Sequence, residues 1–124
     1  MNDRELIQSA ARVAGYDKTM QPVALCDNAG SWTAYAKNVY WVSGRECREY
    51  WDPLYDDGDA LRLAINLRIA VYPWMHADSP CAVATCCDVL IYELHSGEDP
   101  ERATRRAIVR CAAAMDCSHG IDAA

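Results

Sequence analysis

The chain has 124 residues, 52% of them hydrophobic and 24% charged, with a net charge of -6. That balance is globular, so a disordered chain is excluded, and the apolar runs are too short to span a bilayer. An acidic chain gains little from counterion release, which disfavours general binding to nucleic acid. Met1 is followed by Asn2, Asp3, Arg4 and Glu5 with no basic-to-apolar transition, so the expected location is the cytoplasm. Seven cysteines, an odd number, are then expected to be reduced thiols that behave as small apolar side chains.

The elements are predicted in chain order. A helix runs from about Asp3 to Gly15, with Leu6, Ile7, Ala10, Ala11 and Ala14 at helical spacing. Asn2 or Asp3 caps its start and Gly15 ends it. Residues 22–50 read as an antiparallel β-meander: Val23–Cys26, then the turn residues Asp27–Gly30, then Ser31–Ala36 and Val39–Val42, closed by Ser43-Gly44. A second helix covers about Gly58 to Arg68, with Asp57 as its cap. Its apolar stripe is Ala60, Leu61, Ala64, Ile65 and Leu67, with Arg62 and Asn66 opposite. Strands follow near Ile69–Trp74 and Ala82–Leu94, the second broken near Cys87-Asp88, and Pro73 places the first at a sheet edge. Asp99, Pro100 and Glu101 open a last helix, whose stripe holds Ala103, Ala107, Cys111 and Ala114, joined by Ile108 and Met115. Arg102, Arg105, Arg106 and Arg110 fall mostly on its other side.

This pattern predicts one α+β domain over residues 1–124, with an antiparallel sheet of four to six strands packed on about three helices, as in an α-β-α sandwich. Its parts are an N-terminal helix (1–16), the meander (22–50), a helix-strand-strand-helix unit (51–115) and a tail (116–124).

The chemistry-bearing groups fall into four sets. Asp52, Asp56, Asp57 and Asp59 surround Gly58 and offer oxygen ligands for a hard cation, but helix capping and turn formation already account for acids at these positions. Cys81, Cys86, Cys87, Cys111, Cys117 and His119 have zinc-binding chemistry but no Cys-x-x-Cys spacing, and core packing explains Cys111. No metal ligand, catalytic residue or cofactor is assigned. His76, His95 and His119 lie in loops or the tail, where a solvated ring is the ordinary outcome. Trp32, Tyr35, Tyr40, Trp41, Tyr50, Trp51 and Tyr55 crowd one stretch, more rings than a small core holds. Alternation assigns Trp32 and Trp41 to packing and leaves others for a binding surface.

Trp51-Asp52-Pro53-Leu54, followed by Asp56-Asp57-Gly58-Asp59-Ala60-Leu61-Arg62-Leu63-Ala64, resembles a group of small phage and prophage proteins of unknown function. The likeness resumes at Ala103 and Arg105-Arg106-Ala107-Ile108-Val109-Arg110, and is similar to the phage α-β-α sandwich domain. It covers about half the chain, from Tyr50 to Met115. Pro73-Trp74, the cysteines and the aromatic stretch before Trp51 depart from the pattern. The resemblance implies an accessory protein of a phage or prophage and transfers no catalytic residue.

The expected function is a non-enzymatic binding protein that modulates a host process, such as a defence system, by docking a host protein or sequestering a small nucleotide-like ligand. Its binding residues are expected among Trp41, Tyr50, Trp51, Tyr55, Arg102, Arg105 and Arg106, and a homodimer is allowed for. The alternatives are a metal-dependent hydrolase built on Asp52–Asp59 and a structural or assembly role.

Overall fold

The computed structural model describes residues 1–27, 30–75, 80–95 and 98–116. It opens with α1 (Asp3–Ala14), where Asn2 accepts from the Glu5 amide while the Glu5 carboxylate accepts from the Asn2 amide, satisfying two free donors at once. Gly15 ends α1 at φ 79°, and a single turn, α2 (Tyr16–Thr19), leads into the strands.

An antiparallel meander forms over the expected segment with different strands: β1 (Gln21–Asp27), β2 (Gly30–Val42) and β3 (Arg45–Tyr50) make one antiparallel sheet in that order. Strand β2 joins the expected Ser31–Ala36 and Val39–Val42 into one strand, and β3 lies beyond the expected strands. Next comes α3 (Asp57–Leu67), then β4 (Ala70–Met75), β5 (Cys81–Cys86) and β6 (Val89–Leu94), which make a second antiparallel sheet in order. The break at Cys87-Asp88 is the β5–β6 turn, with Cys87 left-handed at φ 54°. Pro73 does lie on an edge strand, where its missing N–H disturbs no ladder, and the register slips beside it between Tyr72 and Met75. The chain ends its described part with α4 (Pro100–Ala114), capped by Asp99 accepting from the Arg102 amide. The α+β architecture holds, with the described strands shared between two three-stranded sheets.

Helix α4 is the hub. It packs on all three strands of the second sheet and on both α1 and α3, while β2 of the first sheet meets α1. Small side chains allow these approaches: Ala103, Ala107, Cys111, Ala112 and Ala113 of α4 are buried, as are Ala10 and Ala11 of α1 and Ala82 and Ala84 of β5. The burial extends further round α4 than one stripe, because the helix has neighbours on several sides. Larger side chains (Leu6, Ile7, Leu54, Leu63, Ile108 and Val109) fill what remains.

Two expected stripes shift. In α3 the buried apolar positions are Ala60, Leu63 and Ala64, and Leu61 and Ile65 face water, because only one side of this helix meets α4 and α1. Ala114 of α4 is exposed, since the helix runs past its neighbours there. Trp41 is 69% exposed rather than packed, because the end of the β2–β3 hairpin projects beyond the helices. Among the described residues no helix is long and apolar enough to cross a membrane. The expected tail over 116–124, apart from Asp116, and His76, Cys117 and His119 lie outside the described residues.

Arg68 closes α3 in the left-handed region at φ 58° and donates its amide to Ala64 and Ile65. An arginine pays a steric penalty there that glycine does not. Arg68→Gly is expected to raise stability by roughly 0.5 kcal/mol, the left-handed penalty less glycine's extra freedom when unfolded. Urea denaturation of the two proteins checks it. Ala107, fully enclosed on α4, gives the opposite case. Ala107→Leu is expected to cost about 2 kcal/mol through overpacking, read from the same denaturation midpoints.

Candidate functional site

The segment between β3 and α3 carries Trp51, Asp52, Tyr55 and Asp56, and one carboxylate of α3, Asp59, sets its shape. Asp59 is 1% exposed. Its Oδ2 accepts from the backbone amide of Asp52 at 2.9 Å, and its Oδ1 accepts from Lys37 of β2 and from Arg62 one turn along α3, both at 2.9 Å. Burial pushes this carboxyl up, but the three donors outweigh burial and hold it below the ordinary carboxylate range.

The other three acids diverge. Asp56, not Asp57, caps α3, accepting from the Asp59 amide at 2.8 Å. Asp57 points outward and pairs with Arg105 of α4 at 2.6 Å. Asp52 is half-buried, and burial, followed by the charges of Asp59 and Asp56, raises its carboxyl. Among the described residues no group of three or more histidine, cysteine or acidic side chains is arranged to hold a metal ion.

Ordered this way, the segment folds under α1. Trp51 is only 3% exposed, with Tyr16 and Tyr35 against it edge-on at 5.1 and 6.5 Å between ring centres. Its backbone amide donates to Tyr35 at 2.7 Å, which ties the segment to β2. The indole Nε1–H is buried and has no hydrogen-bond partner among the described residues. Trp51 was expected at a binding surface. It is instead a wall, carried inward by its bond to β2.

One side of that wall is a cavity of about 480 Å³. The start of α1 (Asn2, Asp3, Arg4 and Ile7) closes one end. Leu25, Trp32 and Ala34 of the first sheet form the floor, and Tyr50, Trp51, Asp52, Leu54 and Tyr55 the flank. Tyr50 and Tyr55 are exposed at its mouth. A small cleft adjoins it, sharing Asp3, Leu54 and Tyr55 and adding Arg102 and Arg106 of α4. Arg106 pairs with Asp3 at 2.8 Å, which keeps its guanidinium charged. Arg102 is exposed, with no ion pair to a described residue.

Five of the seven expected binding residues thus meet: Tyr50, Trp51, Tyr55, Arg102 and Arg106. Trp41 and Arg105 do not. Trp41 lies opposite Glu46 near the end of the hairpin. Arg105 is turned to the other flank of α4, where it donates to the Leu54 carbonyl at 2.9 Å and to Asp57, and so latches the segment from behind. The arginines of α4 are largely internal ties rather than an open basic face: Arg110 likewise bonds Glu93 and the Tyr92 carbonyl. His95, expected in solvent, is buried, its Nε2 2.9 Å from the Pro73 carbonyl and its ring edge-on to Trp74. The sequence reading missed Ile7, Leu25 and the α1 start as cavity walls. Alternation of Val23 and Leu25 in β1 marked one of them; nothing local marked the helix start.

No protein-family model, curated protein or solved structure matches the chain.

Removing the Asp59 charge leaves Lys37 and the Asp52 amide poorly matched, so Asp59→Asn is expected to cost about 2 kcal/mol at pH 7. The folded carboxyl titrates below its unfolded value. Its contribution is therefore complete above about pH 4 and is lost as pH falls through the folded value, and the gap between the proteins narrows in acid. Asp52 acts in the opposite sense, because its raised folded value subtracts stability as pH rises. Urea denaturation at pH 7 and pH 3 checks the sign. Asp56→Ala, which removes the α3 cap, is expected to cost about 1 kcal/mol by the same measurement.

Proposed function

We propose that this chain is a non-enzymatic binding protein, and that the cavity beside Trp51 takes a small ligand with a flat ring and an adjacent anionic group, the chemistry of a nucleotide. The observation that carries this reading is the placement of Trp32, Tyr50 and Tyr55 around about 480 Å³ of space that adjoins Arg102 and Arg106. Ligand sites commonly have this size and this mix of apolar wall and few polar groups. The rings offer stacking faces and the guanidinium of Arg102 a planar, charged donor set for phosphate. The orphaned indole N–H of Trp51 supplies a further donor in the wall for a ring acceptor.

A binding role rather than hydrolysis is supported by the acidic cluster, three of whose four carboxylates are committed to a cap (Asp56), an inter-helix pair (Asp57) and the buried node (Asp59). The concave shape favours a small ligand over a docked host protein. The resemblance of Trp51–Ala64 and Ala103–Arg110 to phage and prophage proteins supports an accessory role in a host bacterium, with sequestration of a nucleotide signal of host defence as its outcome.

Calorimetric titration with AMP, and with adenosine and inorganic phosphate as its two halves, tests the reading. AMP is expected to bind saturably and each half far more weakly. Tyr55→Ala and Arg102→Ala are each expected to weaken AMP about tenfold, the loss of one stack or one charged contact. Trp41→Ala is expected to change nothing. Absence of saturable binding by AMP at millimolar concentration, or wild-type affinity in both site variants, would overturn it.

A further inference from the structure

A second and larger cavity, of about 640 Å³, lies on the flank of α4 that carries Arg105. Its apolar walls come from three elements: Ala60 and Leu61 of α3, Val71, Pro73 and Trp74 of β4, and Ile108 of α4. Leu61 and Trp74 are each 59% exposed, so the slot presents apolar surface to solvent beneath a polar rim. Trp74 is nonetheless held in place. The buried ring of His95 packs edge-on against it at 4.7 Å between centres, and His95 Nε2 lies 2.9 Å from the Pro73 carbonyl. A tryptophan positioned in this way needs little further ordering when something lies on it.

The rim is rich in acceptors. Glu101, Thr104, Arg105 and Ile108 recur at helical spacing and so share one face of α4, with Asp57 of α3 opposite. Arg105 is the one cation of the rim, and it is committed to Asp57 at 2.6 Å and to the Leu54 carbonyl at 2.9 Å. The Thr104 hydroxyl donates to the Pro100 carbonyl at 2.7 Å, which leaves its oxygen as an acceptor. Glu101 is exposed and makes no ion pair with a described residue. Once Arg105 and Asp57 cancel, the charge left over the slot is that of Glu101.

We propose that this slot binds an apolar amine, an alkyl or aryl body that ends in a primary ammonium. The body covers Leu61, Val71 and Ile108 and lies on the Trp74 ring. The ammonium, which has three donors and no acceptor, meets the Glu101 carboxylate and the Thr104 oxygen. The face of the indole attracts the same charge. The end group decides between ligands of one shape. A carboxylate meets the like charge of Glu101 and a guanidinium that Asp57 already neutralises, and an alcohol gains no charge interaction at all. The slot shares no described wall residue with the cavity beside Trp51, so the two sites stand or fall separately.

Heteronuclear NMR titration with phenylbutylamine, phenylbutanol and phenylbutanoate, alike except in the end group, is the test. The amine is expected to saturate with a dissociation constant on the order of 1 mM, shifting the Trp74 indole and its neighbours in α3, β4 and α4. The alcohol is expected to bind about fivefold more weakly, and the carboxylate more weakly still. Glu101→Gln is expected to bring the amine down to the affinity of the alcohol and to leave the alcohol unchanged. Trp74→Ala is expected to weaken both about tenfold, through loss of the stacking face. Absence of saturable binding by the amine at roughly 10 mM overturns the proposal. So does an alcohol or carboxylate that binds as tightly as the amine, wild-type amine affinity in either variant, or shifts centred on Trp32 and α1 instead of Trp74. Should Trp74→Ala fail to fold, the order of the three probes on the wild type and the response of Glu101→Gln decide.

Discussion

A single buried carboxylate joins parts of this chain that are distant in sequence. Asp59 belongs to α3, Lys37 to the first sheet, and the Asp52 amide to the segment between them. Burying an ionised group is expensive unless its lone pairs are matched, and here three donors converge on two oxygens. The result is directional in a way that apolar contact is not. A slip of α3 along its axis would keep much of the hydrophobic burial but would break the bonds to Lys37 and to the Asp52 amide, leaving only the Arg62 bond within the helix.

That constraint fixes the segment that shapes the cavity. With Asp52 held by Asp59 and Trp51 held by the Tyr35 carbonyl, the indole can only point inward, and Tyr50 and Tyr55 are left at the mouth. Arg105 secures the same segment from the side of α4 through the Leu54 carbonyl. The guanidiniums of α4 therefore divide by position. Arg105 and Arg110 bind the fold together, Arg106 does so through Asp3 beside the cavity, and Arg102 remains turned to solvent. The alanines of α4 complement this arrangement, since close helix approach needs small side chains while the ties at the rim supply orientation.

Much of the secondary structure was legible because the signals are local. The Asn2–Glu5 capping box, Gly15 after α1, Ser43-Gly44 at the hairpin and Asp99-Pro100 before α4 each name a boundary through hydrogen-bond or backbone chemistry within a few residues. Pro73 named an edge for the same reason. What stayed hidden depends on neighbours far along the chain. Leu61 and Ile65 have the spacing of a buried stripe, yet α3 has no partner on that side. Trp41 alternates properly with Tyr40, but the hairpin outruns the helices, and Trp51 is buried by a backbone bond to β2 that no spacing encodes. The cap was misplaced by one residue. Asp56 accepts from the Asp59 amide three positions on, and that single cap bond sets the true start. That Asp59 would be buried could be read only once Lys37 was known to lie opposite.

The measurement that bears most directly on this account is a ¹³C NMR titration of the Asp59 carboxyl in the folded protein. If the node orders the fold as described, this carboxyl stays ionised at a pH where an exposed aspartate, titrating near 4, is already half protonated. A midpoint at or above the ordinary value would mean that burial outweighs the three donors, and would contradict the claim that Asp59 holds the segment and the first sheet together.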